Sequence, residues 1–138
     1  MPLPLAKINE LRARHHAEPL TEDPELTKAA QQWADYLRHN GQFRHSRHSR
    51  EKGEILAISR SAEQAVDMWY EEVELFDWNS PRFTGATAHF SALVWADSRR
   101  IGWGEADDGS EWTLFVAHLT PPGNVTGADS FRRNVLRS

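Results

Sequence analysis

Apolar residues fall at helical spacing in three stretches of this chain and gather into short extended runs in three others. In the first stretch Leu5, Ile8, Leu11 and Arg12, followed by His15, stand three and four residues apart, one face of a 3.6-residue period. Pro4 suits the first turn, where its missing N–H is not needed, so a helix is predicted over 5–15. In the second, Asp23 offers an N-cap and Pro24 a first helical position. Leu26, Ala29, Ala30, Trp33 and Leu37 form its apolar stripe, and Gly41 ends it. In the third, Ser61 and Gln64 form a capping box for a stripe of Ala62, Ala65, Val66, Trp69 and Val73, predicting a helix over 62–75.

The run 54–58, Glu-Ile-Leu-Ala-Ile, is too short for an independent helix and rich in branched side chains, so it reads as a strand. Runs 100–106 and 111–119 flank Asp107-Asp108-Gly109-Ser110 and read as a β-hairpin stopped by Pro121-Pro122. A short buried helical turn is expected after His89. Segment 44–53 is polar and basic, segment 77–86 has loop composition, and Phe131, Val135 and Leu136 suit a tail that packs back on the core. Helices first and antiparallel strands last define an α+β chain. No repeat or linker divides it, so residues 1–138 are expected to form one domain.

At 138 residues the chain can bury roughly 65 to 70% of its unfolded surface without a covalent staple. It has no cysteine, which excludes disulfides and thiolate metal sites and leaves imidazole and carboxylate as metal donors. A formal charge of −4 provides no global attraction to nucleic acid or anionic membranes. No apolar run approaches the roughly 18 residues of a membrane span, and Pro2 removes an N-myristoylation signal. The expectation is a soluble chain, cytoplasmic as it stands and secreted if a leader was removed.

Several residues set a polar group against apolar neighbours. Glu72 follows Trp69 by three residues and shares its stripe, whereas Glu71 points away. An inward Glu72 needs a cationic or donor partner. His89 opens a run containing Phe90, Leu93, Val94 and Trp95; Glu54 opens the strand after Gly53; His45 and His48 stand in a tandem Arg-His-Ser loop, with nothing in spacing to prefer one. Phe76, Trp78 and Phe83, in or beside the Asn-Ser-Pro loop, are candidate contacts for an apolar ligand. Arg44, Arg47, Arg50 and Lys52 offer an alternative reading as an anion or nucleic-acid site. The net negative charge and the absence of interleaved aromatic residues favour a solvated loop instead.

The order of these segments resembles the CAP superfamily of cysteine-rich secretory, antigen and pathogenesis-related class-1 proteins. Asn9-Glu10-Leu11-Arg12, Pro19-Leu20, His45-Ser46, Gly53-Glu54-Ile55-Leu56-Ala57 and Trp69-Tyr70-Glu71-Glu72 are similar to successive family motifs. Ala88-His89-Phe90-Ser91-Ala92-Leu93-Val94-Trp95 resembles the most specific signature, and Pro121-Pro122-Gly123-Asn124-Val125 the closing one. The tail 131–136 is similar to the cysteine-free, Golgi-associated branch. Ile55 stands where the family has Asn, Ala88 for Gly, Ile8 for His and Leu119 for Tyr.

The resemblance implies an α-β-α sandwich with a small antiparallel sheet between helical layers. It also implies a cleft tetrad of His45, Glu54, Glu72 and His89, in which the histidines bind a divalent ion and the glutamates orient them. Zinc is the expected metal and is not required for folding; two imidazoles leave two positions to water or a ligand. A binding role toward a sterol, fatty acid or other apolar ligand follows from the same resemblance. The alternative is a metal-dependent or Ser-His-Glu hydrolase, with Ser46 or Ser91 beside a histidine. No H-E-x-x-H or G-x-S-x-G motif is present, so catalysis is not the leading expectation.

Overall fold

The computed structural model describes residues 2–47, 49–127 and 129–138. Helix α1 (Leu5–Arg14) is followed by a short strand β1 (Thr21–Glu22) and the long helix α2 (Pro24–Asn40). Asp23 caps α2 by accepting from the N–H groups of Glu25 and Leu26, and Gly41 closes it at φ 61°, the left-handed conformation that glycine adopts without steric cost. A single turn, α3 (Ser49–Lys52), leads into β2 (Glu54–Ser59) and α4 (Ala62–Glu71), whose N-cap Ser61 accepts from Gln64 N–H. The helix predicted over 62–75 therefore changes character at Glu72 and finishes as a 3-10 turn, Glu72–Leu75. A second 3-10 turn (Gly85–Thr87) runs into α5 (Ala88–Leu93), the hairpin β3 (Arg100–Asp107) and β4 (Thr113–Thr120) follows, and α6 (Ser130–Asn134) ends the fold.

The sheet order is β1-β3-β4-β2, antiparallel except for the β1 and β3 pair. Both faces are covered, and strand alternation assigns each residue its layer. Leu56, Leu114 and Val116 face Ala30, Ala34 and Leu37 of α2. Ile55, Ala57, Trp103, Phe115, Ala117 and Leu119 join the larger core with Ile8 and Leu11 of α1, Val66 and Trp69 of α4, Phe90 of α5 and the tail residues Phe131 and Val135. The result is the α-β-α sandwich.

Helix α2 lies against the sheet at backbone contact. A Cβ on Gly102 would stand 2.2 Å from the Leu26 carbonyl carbon, and one on Gly104 2.5 Å from that of Ala30. Beyond the two residues that pair with β1, Gln31 satisfies the open edge of β3: its Nε2 donates to Glu105 O at 2.7 Å and its Oε1 accepts from Glu105 N at 3.1 Å. This close packing sets the height of β3 and β4, and hence of the histidine that β4 carries, relative to the loop after α2.

The Asn9 and Arg12 pair joins helix α1 to its surroundings. Asn9 brackets Leu20, accepting from its N–H at 2.8 Å and donating to its carbonyl at 3.2 Å. Arg12 is fully buried and donates to the carbonyls of Glu18, Leu93, Trp95 and Ser98. Burial first, with nearby Arg99, pulls its pKa down to about 10.

Candidate functional site

Residues His45 and Glu54 form one pair, Glu72 and His89 the other. Glu54 is the first residue of β2, with a side chain 0% exposed. Its Oε1 accepts from His45 Nδ1 at 3.0 Å and from Ser46 N–H at 2.8 Å; its Oε2 accepts from the Ser46 hydroxyl at 2.7 Å and from His118 Nε2 at 2.8 Å. Burial pushes the Glu54 carboxyl up, but hydrogen bonds from His118, His45 and Ser46 together outweigh it and hold the group well below the usual carboxylate range. Glu54 thus opens the strand as a buried, fully bonded carboxylate.

Residue Glu72 stands where α4 tightens into the 3-10 turn. Its Oε2 accepts from His89 Nδ1 at 2.7 Å and its Oε1 from Phe90 N–H at 2.9 Å. Glu71 is exposed. The carboxylate therefore fixes both the ring of His89 and the first turn of α5. Ala88 has φ −63° and ψ −37°, helical values open to any residue, so the alanine in place of glycine causes no strain.

Both histidines present Nδ1–H to a carboxylate, which leaves the Nε2 lone pair of the neutral ring as their remaining donor. Neither Glu54 nor Glu72 has an oxygen without a protein hydrogen bond. Among the described residues no group of three or more His, Cys, Asp or Glu is arranged to hold a metal ion. Two imidazoles would supply at most two of a tetrahedral ion's four positions, so these residues do not enclose an ion.

A cleft of about 610 Å³ opens beside His45, lined by Glu54, Ser49, Arg50, Phe83, Ala92 and Asn124 among others. Asn124 joins it to α5, accepting from the Ser91 hydroxyl and donating to Ala88 O at 2.9 Å. His89, one turn before Ala92, is outside the lining. Of the three aromatic residues expected at the ligand, only Phe83 lines this space. Phe76 is core, 6% exposed, and Trp78 packs on Phe76, Phe90 and His15. Ser46 donates to Glu54, and Ser91 to Asn124 and main-chain carbonyls, so among the described residues neither hydroxyl is bonded to an imidazole. In the basic loop Arg44 lies over the rings of Trp33 and Tyr36 at 5.1 and 6.0 Å; His48 lies outside the described residues.

Sequence reasoning missed His118. Its signal was a polar residue on the same strand face as Leu114 and Val116, in a run otherwise apolar, but its partner depends on the β2 and β4 register, which places it opposite Glu54.

Two carboxylate-backed imidazoles beside a sheet enclosed between helices define a CAP-type domain. The chain belongs to the cysteine-rich secretory protein (CAP) family, whose model matches residues 5–119. It is 33% identical over 133 residues to Golgi-associated plant pathogenesis-related protein 1 of Homo sapiens, covering 93% of this chain and 86% of that one. It is 32% identical to protein PRY2 of Saccharomyces cerevisiae, covering 93% of this chain and only 38% of the yeast protein. Among solved structures, NaASP2 with Zn2+ superimposes with a TM-score of 0.74 at 22% identity, over 92% of this chain and 82% of that chain. Venom allergen-like protein 4 of Schistosoma mansoni gives 0.71 at 17% identity, over 91% and 92%. These likenesses show the fold. Among the described residues no helix is long and apolar enough to cross a membrane.

Proposed function

We propose that this protein is a CAP-type binding protein that takes a divalent metal, zinc foremost, on Nε2 of His45 and of His89. The observation that carries this reading is the matched pair of Nδ1 contacts to Glu54 and Glu72, which leaves a lone pair on the same ring atom in each histidine. Zinc would supply a fixed positive charge and open positions for a ligand's oxygen. Glu54 and Glu72 orient the rings. The NaASP2 structure with Zn2+ supports the choice of metal. Phe83, Ala92 and Val125 give the adjoining cleft an apolar wall, while His45, Arg50 and Asn124 give it polar groups, which favours an amphipathic ligand such as a sterol or fatty acid.

Calorimetric titration with zinc tests the metal reading. Binding by the wild type that is lost in both His45→Ala and His89→Ala supports it, and equal binding in all three overturns it. Displacement of a fluorescent fatty acid tests the apolar ligand: competition by a sterol or fatty acid, weakened in Phe83→Ser, is expected. No displacement by either class removes that half of the reading.

A further inference from the structure

We infer that His118 is a positioning residue of the cleft, holding Glu54 in the one orientation that directs the His45 ring. This goes beyond the four-residue site and rests on the reading of His45 as a ligand-binding imidazole. His118 and Glu54 are directly opposite across the β2 and β4 ladder. Both side chains are buried, 3% and 0% exposed, and joined at 2.8 Å, whereas the His45 side chain is 56% exposed. A rigid buried pair therefore underlies a ring carried on an exposed loop.

The hydrogen bonds divide the carboxylate in a definite way. His118 Nε2–H and the Ser46 hydroxyl take Oε2; His45 Nδ1–H and the Ser46 N–H take Oε1. His45 and Ser46 reach the carboxylate from the loop, so they cannot fix it independently of the loop they belong to. His118 reaches it from the buried strand β4, and so fixes the plane of the carboxylate to which the loop then binds.

Contrast with the other buried histidine separates positioning from ordinary core packing. His15 bonds through both ring nitrogens, Nδ1 to Leu136 O and Nε2 to Tyr70 Oη. Among the described residues His118 makes its side-chain hydrogen bond through Nε2 to Glu54. The imidazole of His15 ties main chain and tail together, whereas that of His118 is joined to a carboxylate of the site.

NMR correlation of ring protons and nitrogens, recorded above the usual histidine titration range, reports which nitrogen carries the proton. In the wild type His45 is expected as the Nδ1–H form and His118 as the Nε2–H form; His118 in the Nδ1–H form overturns the proposal without any variant. In His118→Leu, folded by circular dichroism, His45 should lose its single Nδ1–H form, and zinc affinity should fall about tenfold, the lower end for loss of a ligand-orienting partner. His118→Gln, which keeps a side-chain N–H for Oε2, should restore both. His118→Met repeats the loss with more flexible packing if the leucine variant does not fold. An unchanged His45 form in a folded apolar variant overturns the proposal. If the wild type binds no zinc yet the His45 form responds as stated, the metal reading fails and the positioning role stands; if zinc binds equally well and the His45 form is unmoved, the reverse holds.

Discussion

The ring of His15 accepts a hydrogen bond from the Tyr70 hydroxyl at 2.8 Å while donating Nδ1–H to the carbonyl of Leu136 at 2.7 Å. A carbonyl can only accept, so the proton of the neutral ring is on Nδ1 and Nε2 is the acceptor. Helix α1, helix α4 and the tail thus meet on one buried imidazole, stacked on Trp78 and edge-on to Phe90. Tyr70 is two residues from Glu72 and Phe90 adjoins His89, so this knot backs the second half of the site.

Burial depresses the His15 pKa, against the opposing pull of the Leu136 carbonyl, with His16 and Arg14 adding to the depression. The unfolded chain, with an ordinary value of 6.5, then binds the proton first as pH falls. Stability is complete above that value and is lost as pH falls from it through the folded pKa. Urea unfolding of the wild type at pH 8 and at pH 5.5 should show this loss. His15→Gln, whose amide does not titrate, should show a smaller difference between the two pH values; an equal difference would remove His15 as its source.

The Glu54 carboxyl has the same direction at lower pH. Its folded pKa lies below the ordinary value of 4.5, so it stabilises the fold fully above that value, and the contribution is lost as pH falls through the folded pKa. Glu54→Gln replaces an acceptor of four hydrogen bonds with an amide that turns donors toward donors. A loss of about 3 kcal/mol at pH 7 is expected, with a shallower decline below pH 4.5 than in the wild type. Denaturant titrations across that range check both.

The legible parts of this fold were those with a local chemical cause. Helix α2 could be read from end to end because Asp23, Pro24 and Gly41 mark its limits and the stripe between them fills one face. The α4 boundary was not, because Val73 continues the apolar stripe and a stripe does not separate α from 3-10 bonding. Strand β1 and helix α3 bury no residue, so they leave no apolar signal. At the site, Glu72 followed from its spacing to Trp69. His118 needed the strand register. Ile55, foreign to the family motif, is 4% exposed on the sheet face opposite Glu54, so the motif can lose its asparagine while the carboxylate remains in place.

The contact between α2 and the sheet predicts a severe effect at Gly102. An added Cβ meets the backbone of Leu26 and Thr27 at 2.2 to 2.4 Å, and backbone, unlike a side-chain tip, cannot turn aside. Gly102→Ala should cost about 3 kcal/mol or more through forced displacement of the helix. Gly85→Ala, where nothing lies within 4 Å, should stay within about 1 kcal/mol of wild type. Urea midpoints of the two variants give the comparison, and similar values would show that α2 can lift from the sheet at little cost.

Arg12 predicts a different response because its partners are all main-chain oxygens. Nε donates to Glu18 O, Nη1 to Leu93 O and Trp95 O, and Nη2 to Ser98 O, at 2.8 to 3.0 Å. Three of these oxygens belong to the segment that leaves α5, so the guanidinium secures the helix carrying His89 from its C-terminal side. Arg12→Ala leaves buried carbonyls unpaired and a void, with an expected loss of about 3 kcal/mol or more. Arg12→Lys keeps the charge but offers three N–H groups from one point, where the fork supplied four bonds in different directions. It should therefore fall between wild type and alanine in denaturant stability and show faster amide exchange at 93–98 than wild type. Wild-type stability in Arg12→Lys would mean that the charge, not the fork, holds the segment.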